Sequence, residues 1–466
     1  MNKDIAIRKI IYQQLDRSPI TSNRLRLWSL ATAGIGLNGY DLFIMSTALP
    51  LVQVYFGFSS TGMVGLLAGS AVLGAVPGAL ISGLLSDRFG RRFILCIDIF
   101  LFAITSILCA MAWNPISLVF FRFLQGVAIG AEYPISSALI AEAMPQRTRG
   151  KWMTAAFSFQ AVGMMLGAAI STLILFLFPR EDAWRWMLLS GAIPAFILAW
   201  MRRSVRESSR WLARKGRFEE SLASLEWLLG SQTACLVRDQ MATAEASEDT
   251  EPTQGRFSEL FQRAFRTRTI LTAIPWFLMD IGLYGIGLFT PAILLSVMHG
   301  PAIYTHGFLA SDFKADVGST IADLFLMIGF ALNILAVESL GRIKLQIVGF
   351  LGMAIGTGIV AVFAVNGGSV GLIVGFIIFN MMVNFGPNAT TYLLPVEVFP
   401  TRLRSTGHGF AAAFGKAGAT VGVFFLPIAA HTFGLAQTIT VIGILSLIGA
   451  IVTLLCRVET RGLALE

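Results

Sequence analysis

Glu142-Ala-Met-Pro145-Gln-Arg147-Thr-Arg149 closes the fourth long apolar segment of this 466-residue chain. Glu397-Val-Phe-Pro400-Thr-Arg402-Leu-Arg404 closes the tenth, with the same Glu, Pro and two Arg at the same spacing. Gly90-Arg91 after the second segment likewise returns as Gly341-Arg342 after the eighth. Chance gives one such match; matches in corresponding loops predict two related halves, with a substrate site near the bilayer midplane between them.

Working outward, 55% of the residues are hydrophobic and 13% charged, with a mean hydropathy of +0.72, outside the range of a soluble domain. About 20 apolar residues make one crossing, which gives roughly twelve spans, near 26–54, 60–86, 92–112, 115–142, 150–177, 185–202, 267–296, 316–338, 343–364, 367–393, 404–428 and 434–456. The expected fold is an all-α membrane protein of twelve transmembrane helices in two pseudo-symmetric six-helix bundles. Its expected divisions are an N-terminal segment (1–25), a first bundle (26–202), a polar central loop (203–266), a second bundle (267–456) and a C-terminal tail (457–466). Within the loop, Phe218 to Leu229 has helical spacing, while Gln232 to Gly255, with its acidic run Glu245 to Glu251, has the composition of a flexible linker.

The net charge of +8 does not point to nucleic acid, because the basic residues flank apolar segments. Arg88, Arg91 and Arg92 follow the second span, Arg147, Arg149 and Lys151 the fourth, Arg342 and Lys344 the eighth, Arg402 and Arg404 the tenth. The loops at 56–60, 113–114 and 366–369 carry no charge. The positive-inside rule then puts the basic loops, and both termini, in the cytoplasm of a multi-pass protein of the cell (inner) membrane. Residues 1–25 lack a signal-peptide pattern; Ile5 to Leu15 suits either a short amphipathic helix on the inner surface or a solvated tail. The four cysteines and four histidines form no disulfide framework or metal spacing, although His299 and His306 share an outer loop. No cofactor or metal is expected, and no nucleophile–base pair suggests an enzyme.

Charges inside the spans are the functional signal, since one at mid-membrane costs roughly 2.5–3.5 kcal/mol on insertion scales. In Trp276-Phe-Leu-Met-Asp280-Ile-Gly-Leu-Tyr284, three polar or aromatic residues four apart line one helical stripe. Away from the span ends stand Asp41, Arg122, Glu132, Asp280 and Lys416: three acids against two bases. An unbalanced acid moved between environments is a proton carrier; the bland alternative is a set of ion pairs locking helices together. Arg122 and Glu132 lie about 80° apart around the helix and about 15 Å along it, so they need not pair with each other. Tyr133 and Asn388 occupy equivalent positions in the two halves, and Gln160 adds a third neutral hydrogen-bonder.

Gly83-Leu-Leu-Ser-Asp87-Arg88-Phe-Gly90-Arg91-Arg92 resembles the loop motif of the major facilitator superfamily, which implies a gating charge relay built on Gly83, Asp87, Arg88, Gly90, Arg91 and Arg92. Arg122-Phe-Leu-Gln-Gly126, Arg206-Glu-Ser-Ser-Arg210-Trp211-Leu212, Pro395-Val-Glu397-Val-Phe-Pro400-Thr-Arg402 and Val458-Glu-Thr-Arg-Gly462 resemble motifs of sugar porters and their relatives. Within the superfamily the sequence looks most like the phosphate:proton symporters, through Trp276-x3-Asp280-x3-Tyr284, Gly130-Ala-Glu132-Tyr133-Pro134, Gln160, Phe385-Gly-Pro-Asn388-x-Thr-Thr and His408 to Lys416. That likeness implies that Tyr133, Gln160, Trp276, Asp280, Tyr284, Asn388 and Lys416 bind phosphate, and that Asp41, Arg122 and Glu132 carry or gate protons. The sequence departs from the family at Glu132, where aspartate is usual, and at Asn38, where an acid is common. The glutamine pair of sugar porters is missing from the seventh span. The expected function is alternating-access symport of protons with a small anion, inorganic phosphate first, by a monomer in the bilayer. An organic carboxylate or aromatic acid is the alternative, with a sugar or polyol behind it.

Overall fold

The computed structural model describes residues 3–58, 60–243, 255–299, 308–366 and 369–465, with backbone alone at 61, 287–299, 308–323, 369 and 427. The side chains of His299 and His306 and the acidic run 245–251 lie outside the described residues.

The first half comprises α2 (Ser22–Phe56), α3 (Thr61–Phe89), α4 (Arg91–Ala110), α5 (Pro115–Ala143), α6 (Arg149–Leu177) and a sixth span broken at Gly191 into α7 (Ala183–Ser190) and α8 (Ala192–Arg202), all preceded by α1 (Lys3–Arg17). Three short helices follow outside the bundle: α9 (Ser209–Arg214), α10 (Phe218–Leu229) and α11 (Ser231–Ala242). The second half comprises α12 (Arg266–His299), α13 (Phe308–Leu340), α14 (Arg342–Asn366), α15 (Ser369–Phe385), α16 (Pro387–Val398), α17 (Arg404–Phe433) and α18 (Leu435–Leu455). Among the described residues eleven spans are long and apolar enough to cross a membrane; α13, described in full only from Leu324, is the twelfth of the two six-helix bundles.

Local chemistry sets the ends. Thr21 accepts from the Arg24 N–H to cap α2, and Gly57 closes that helix in the left-handed region at φ 67°. Asn114 and Ser117 form a capping box at the start of α5, with Pro115 in the first turn. Pro387 cannot supply an N–H to a continuing helix, so the tenth span stops at Gly386 and restarts as α16. The halves meet along α3 against α17 and α6 against α13. Across the second seam Thr154 Oγ1 donates to Asn333 Oδ1 at 3.1 Å.

Both termini pack on one face, and α1 is a docked element there. Its Ile7, Ile11 and Leu15 are buried, and Arg24 donates to the Leu15 carbonyl in the last turn of the helix (2.6 Å) and to the Ser18 carbonyl just beyond it (3.1 Å). The linker expected over Gln232 to Gly255 is corrected in its first part: α11 is helical because Ala234 and Val237 bury themselves against α1 and α10.

Asp16 is the main polar tie of α1, 2.6 Å from both Arg149 and Arg210, two arginines that are themselves buried. The same guanidinium groups hold the C-terminal tail, Arg149 through the Leu463 carbonyl (3.4 Å) and Arg210 through that of Leu465 (3.1 Å). Removing one partner from a buried ion pair costs about 3–5 kcal/mol. Asp16→Ala is therefore expected to lower the unfolding temperature in detergent and to expose the bond region 17–22 to protease. An unchanged melting curve with unchanged cleavage would remove Asp16 from the fastening of α1.

Candidate functional site

At the centre of the molecule α12 presents the Trp276/Asp280/Tyr284 stripe to α5, α6 and α17. Asp280 is 1% exposed, and Lys416 Nζ stands 3.4 Å from its Oδ2. The same ammonium donates to Tyr284 Oη at 2.7 Å and lies 4.8 Å from the centre of the Tyr133 ring and 4.4 Å from that of Tyr284. Gln160 Nε2 donates to Tyr284 Oη at 3.5 Å. Trp276 reaches Asp280 with its indole N–H and stacks edge-on with His408, 5.4 Å between centroids. Gly415 makes this approach sterically feasible, since a Cβ there would sit 2.4 Å from Trp276 Cδ1.

The Tyr133 hydroxyl joins them. It is buried against Lys416 and Tyr284, with the Tyr284 hydroxyl as its hydrogen-bonding neighbour. Six of the expected site residues thus share one cluster: Tyr133, Gln160, Trp276, Asp280, Tyr284 and Lys416. Asn388 stands apart, its amide donating to Asn384 Oδ1 at 2.6 Å, while Asn384 donates to the Asn380 carbonyl at 3.1 Å. Asn380 and Asn384 were not anticipated, although Asn380, Asn384 and Asn388 follow one another at intervals of four, the same signal that marked α12.

The expected proton-handling residues separate into two clusters. Arg122 Nη1 lies 2.6 Å from Asp41 Oδ2 and 2.9 Å from Gln125 Oε1, so this pair has the form of a buried lock. Glu132 turns the other way, to Arg202, at 2.7 and 2.9 Å, and also accepts from Ser136. Arg202 additionally reaches Asp98 Oδ1 at 3.3 Å and the carbonyls of Leu30 and Leu95. The count of three acids against two bases is corrected by this cluster: Asp98 lies inside the third span, and Arg202, at the very end of the sixth, is completely buried. With both added the acids still exceed the bases by one. The Asp98 and Glu132 carboxyl groups also face each other beside the Arg202 guanidinium.

On the termini-bearing face the repeated motifs form two matching networks. In the first, Arg91 joins Asp87 (2.9 Å) and Glu142 (3.1 Å), and Glu142 also holds Arg404 of the other half at 3.0 Å. Asp87 Oδ2 accepts from the Thr406 N–H at 2.9 Å, capping the start of α17 across the interface, where a carboxylate is favoured. In the second, Arg342 joins Glu338 and Glu397, each at 2.8 Å, and Glu338 accepts from the Lys151 N–H at the start of α6 (3.3 Å). Glu207 and Glu459 cap α4 and α14 through pairs of N–H groups at 2.9 to 3.1 Å. Burial pushes the Glu207 carboxyl up, against the opposing pull of the Ser208 N–H and Arg91. The turns are Gly90 and Gly341, at φ 107° and 86°, which only glycine adopts without strain. Together these contacts close this face.

Several known proteins share this design. A probable inorganic phosphate transporter of Arabidopsis thaliana (transporter 1-6) is 30% identical over 94% of this chain and 92% of its own. A low affinity inorganic phosphate transporter of Petunia hybrida is 28% identical over 94% and 91%. The proton:xylose symporter XylE of the major facilitator superfamily, bound to a bromodeoxyglucose, superposes with a TM-score of 0.77 at 21% identity, covering 96% of this chain and 98% of that one. The inward-open form of the E. coli xylose transporter XylE gives 0.67 at 20% identity, over 95% and 98%. The profile of the sugar (and other) transporter family matches residues 28–466, and the chain belongs to that family of membrane transporters working by alternating access.

Proposed function

We propose that the protein is a proton-coupled symporter of inorganic phosphate in the cell membrane, with its termini-bearing face in the cytoplasm. The observation that carries this reading is the buried meeting of Lys416, Asp280, Tyr284 and Gln160 with the Tyr133 hydroxyl. The names of the plant relatives support the choice of anion. Lys416 and Asp280 cancel each other when both are ionised, leaving no net charge to hold an anion. A proton on Asp280 frees the ammonium for a phosphate oxygen, so anion and proton enter together. Gln160 and the two tyrosines then supply hydrogen bonds, and the Asp41–Arg122 and Glu132–Arg202–Asp98 clusters are the proton-handling groups beside the path.

Purified protein in liposomes is expected to accumulate labelled phosphate under an inward proton gradient. Collapse of the pH gradient and membrane potential should return uptake to that of protein-free vesicles. Accumulation of a labelled carboxylate with indifference to phosphate would overturn the assignment of the anion. Phosphate uptake insensitive to the collapsed gradient would overturn the coupling.

A further inference from the structure

A cavity of about 600 Å³ lies on the outer side of the first bundle, remote from the central cluster, where α4 and α8 meet the loop leading into α9 and α10. Its wall is formed by Phe93, Ile97, Phe100 and Ala199, and its rim by Arg92, Arg203 and Arg217 with Glu207 and Glu220. The wall is no part of the protein core: Phe93, Ile97 and Phe100 are 56%, 46% and 52% exposed and continue the apolar outer face of α4. Phe196 of α8 meets Phe100 edge-on behind this wall, 6.2 Å between rings.

The rim is cationic once its internal pairs are taken out. Arg217 and Glu220 neutralise each other at 2.6 and 2.7 Å. Glu207 has its oxygens occupied by the N–H groups of Arg91, Arg92 and Ser208. Arg92 spends one nitrogen on the Arg203 carbonyl at 2.9 Å, and Arg203 itself has no salt bridge among the described residues. Two guanidinium groups therefore face the opening with donors to spare, directly above an apolar cleft that opens sideways to the lipid phase.

We propose that this cleft is a binding site for an anionic phospholipid, its phosphodiester on Arg203 and Arg92 and an acyl chain along Phe93, Ile97 and Phe100. A soluble anion would leave the apolar wall uncovered. A zwitterionic lipid would bring an ammonium to a rim whose carboxylates are already engaged. Basic pockets between helices at the membrane surface take anionic headgroups for these reasons.

Native mass spectrometry of the full chain, released from micelles holding equal phosphatidylglycerol and phosphatidylcholine, tests the site. Wild type should retain phosphatidylglycerol preferentially, and Arg203→Gln should cut that preference about fivefold, the share of one arginine near a membrane surface. Ala199→Trp fills the cleft without touching the arginines and should cut phosphatidylglycerol retention as well. Melting curves check that both variants remain folded. An unchanged lipid ratio in Arg203→Gln, or retention unaffected by Ala199→Trp, would overturn the proposal. Displacement of the lipid by equimolar glycerol phosphate would also overturn it, because the wall would then contribute nothing.

Discussion

Asp280→Asn is expected to abolish phosphate uptake, by at least about 100-fold, which is ~2.7 kcal/mol of lost driving interaction in a productive step, while the protein still folds and inserts. The amide keeps the volume of the side chain and its contact with Trp276, so packing gives no reason for collapse. It takes away the one carboxylate within 3.4 Å of Lys416 among the described residues. The ammonium is then permanently uncompensated, and an anion placed on it has no proton-controlled rival to displace it. Binding and transport should consequently separate. A thermal-shift titration with phosphate should show stabilisation retained or strengthened, by mass action on the bound state, while labelled uptake in liposomes is lost. Asp280→Glu, which restores a titratable group at a displaced position, should recover part of the uptake. Full uptake by Asp280→Asn would return this residue to a structural role, as a buried counter-ion of Lys416.

The parts of this site visible in the sequence were those governed by helical spacing and by the cost of polar atoms in lipid. The α12 stripe follows from residues four apart, and Lys416 follows from being a charge far from either end of an apolar segment. Span boundaries were recovered to within several residues at most ends, because apolar length is itself the cause of the spans. Interior breaks were missed: the tenth span divides at Gly386-Pro387 and the sixth at Gly191. Partners were legible less often than members. Glu132 was marked as an intramembrane acid that need not pair with Arg122, and its partner Arg202 comes from the edge of another span, where an arginine ordinarily reaches the membrane surface. Nothing in spacing along one helix says that four helices will converge on that guanidinium. Asp16 illustrates the same limit, since a polar N-terminal segment gives no sign that it will be buried between two arginines.

The duplicated motif also shows where the symmetry of the halves fails. Arg149 and Arg404 are equivalent residues, and each donates its Nε to an equivalent carbonyl, Ala141 at 3.1 Å and Val396 at 3.0 Å. Arg404 continues across the interface to Glu142, but Arg149 turns to Asp16 of α1 instead of crossing to Glu397. The ion pairs of Glu397 are with Arg342, and it accepts from Thr460, both of its own half.

Glu142→Gln is for this reason expected to open the termini-bearing face far more than Glu397→Gln does. Glu142 is 2% exposed and lies between Arg91 and Arg404, with Ser208 donating to its second oxygen. Neutralising it takes the carboxylate from Arg404, which then faces Arg91 of the opposite half, still held by Asp87, a loss on the order of 3–5 kcal/mol for a buried pair deprived of one partner. Opening separates Arg404 from Arg91 and hydrates both, so most of that loss is relieved in the open state. A differential of about 3 kcal/mol changes the open-to-closed ratio by roughly 150-fold. Neutralising Glu397 leaves Arg342 with Glu338 and disturbs one half internally, which opening does little to relieve. Spin labels at Lys151→Cys and Ser339→Cys, in a background without the native cysteines, read the distance across the face, since both positions are exposed and lie on opposite sides of the seam. A long-distance population in Glu142→Gln that is absent from wild type and minor in Glu397→Gln is the expected result. Equal shifts in the two variants would mean that the cross-half bond from Glu142 to Arg404 does not set the closed state, and that the interfacial N–H caps from Asp87 and Glu338 carry it instead.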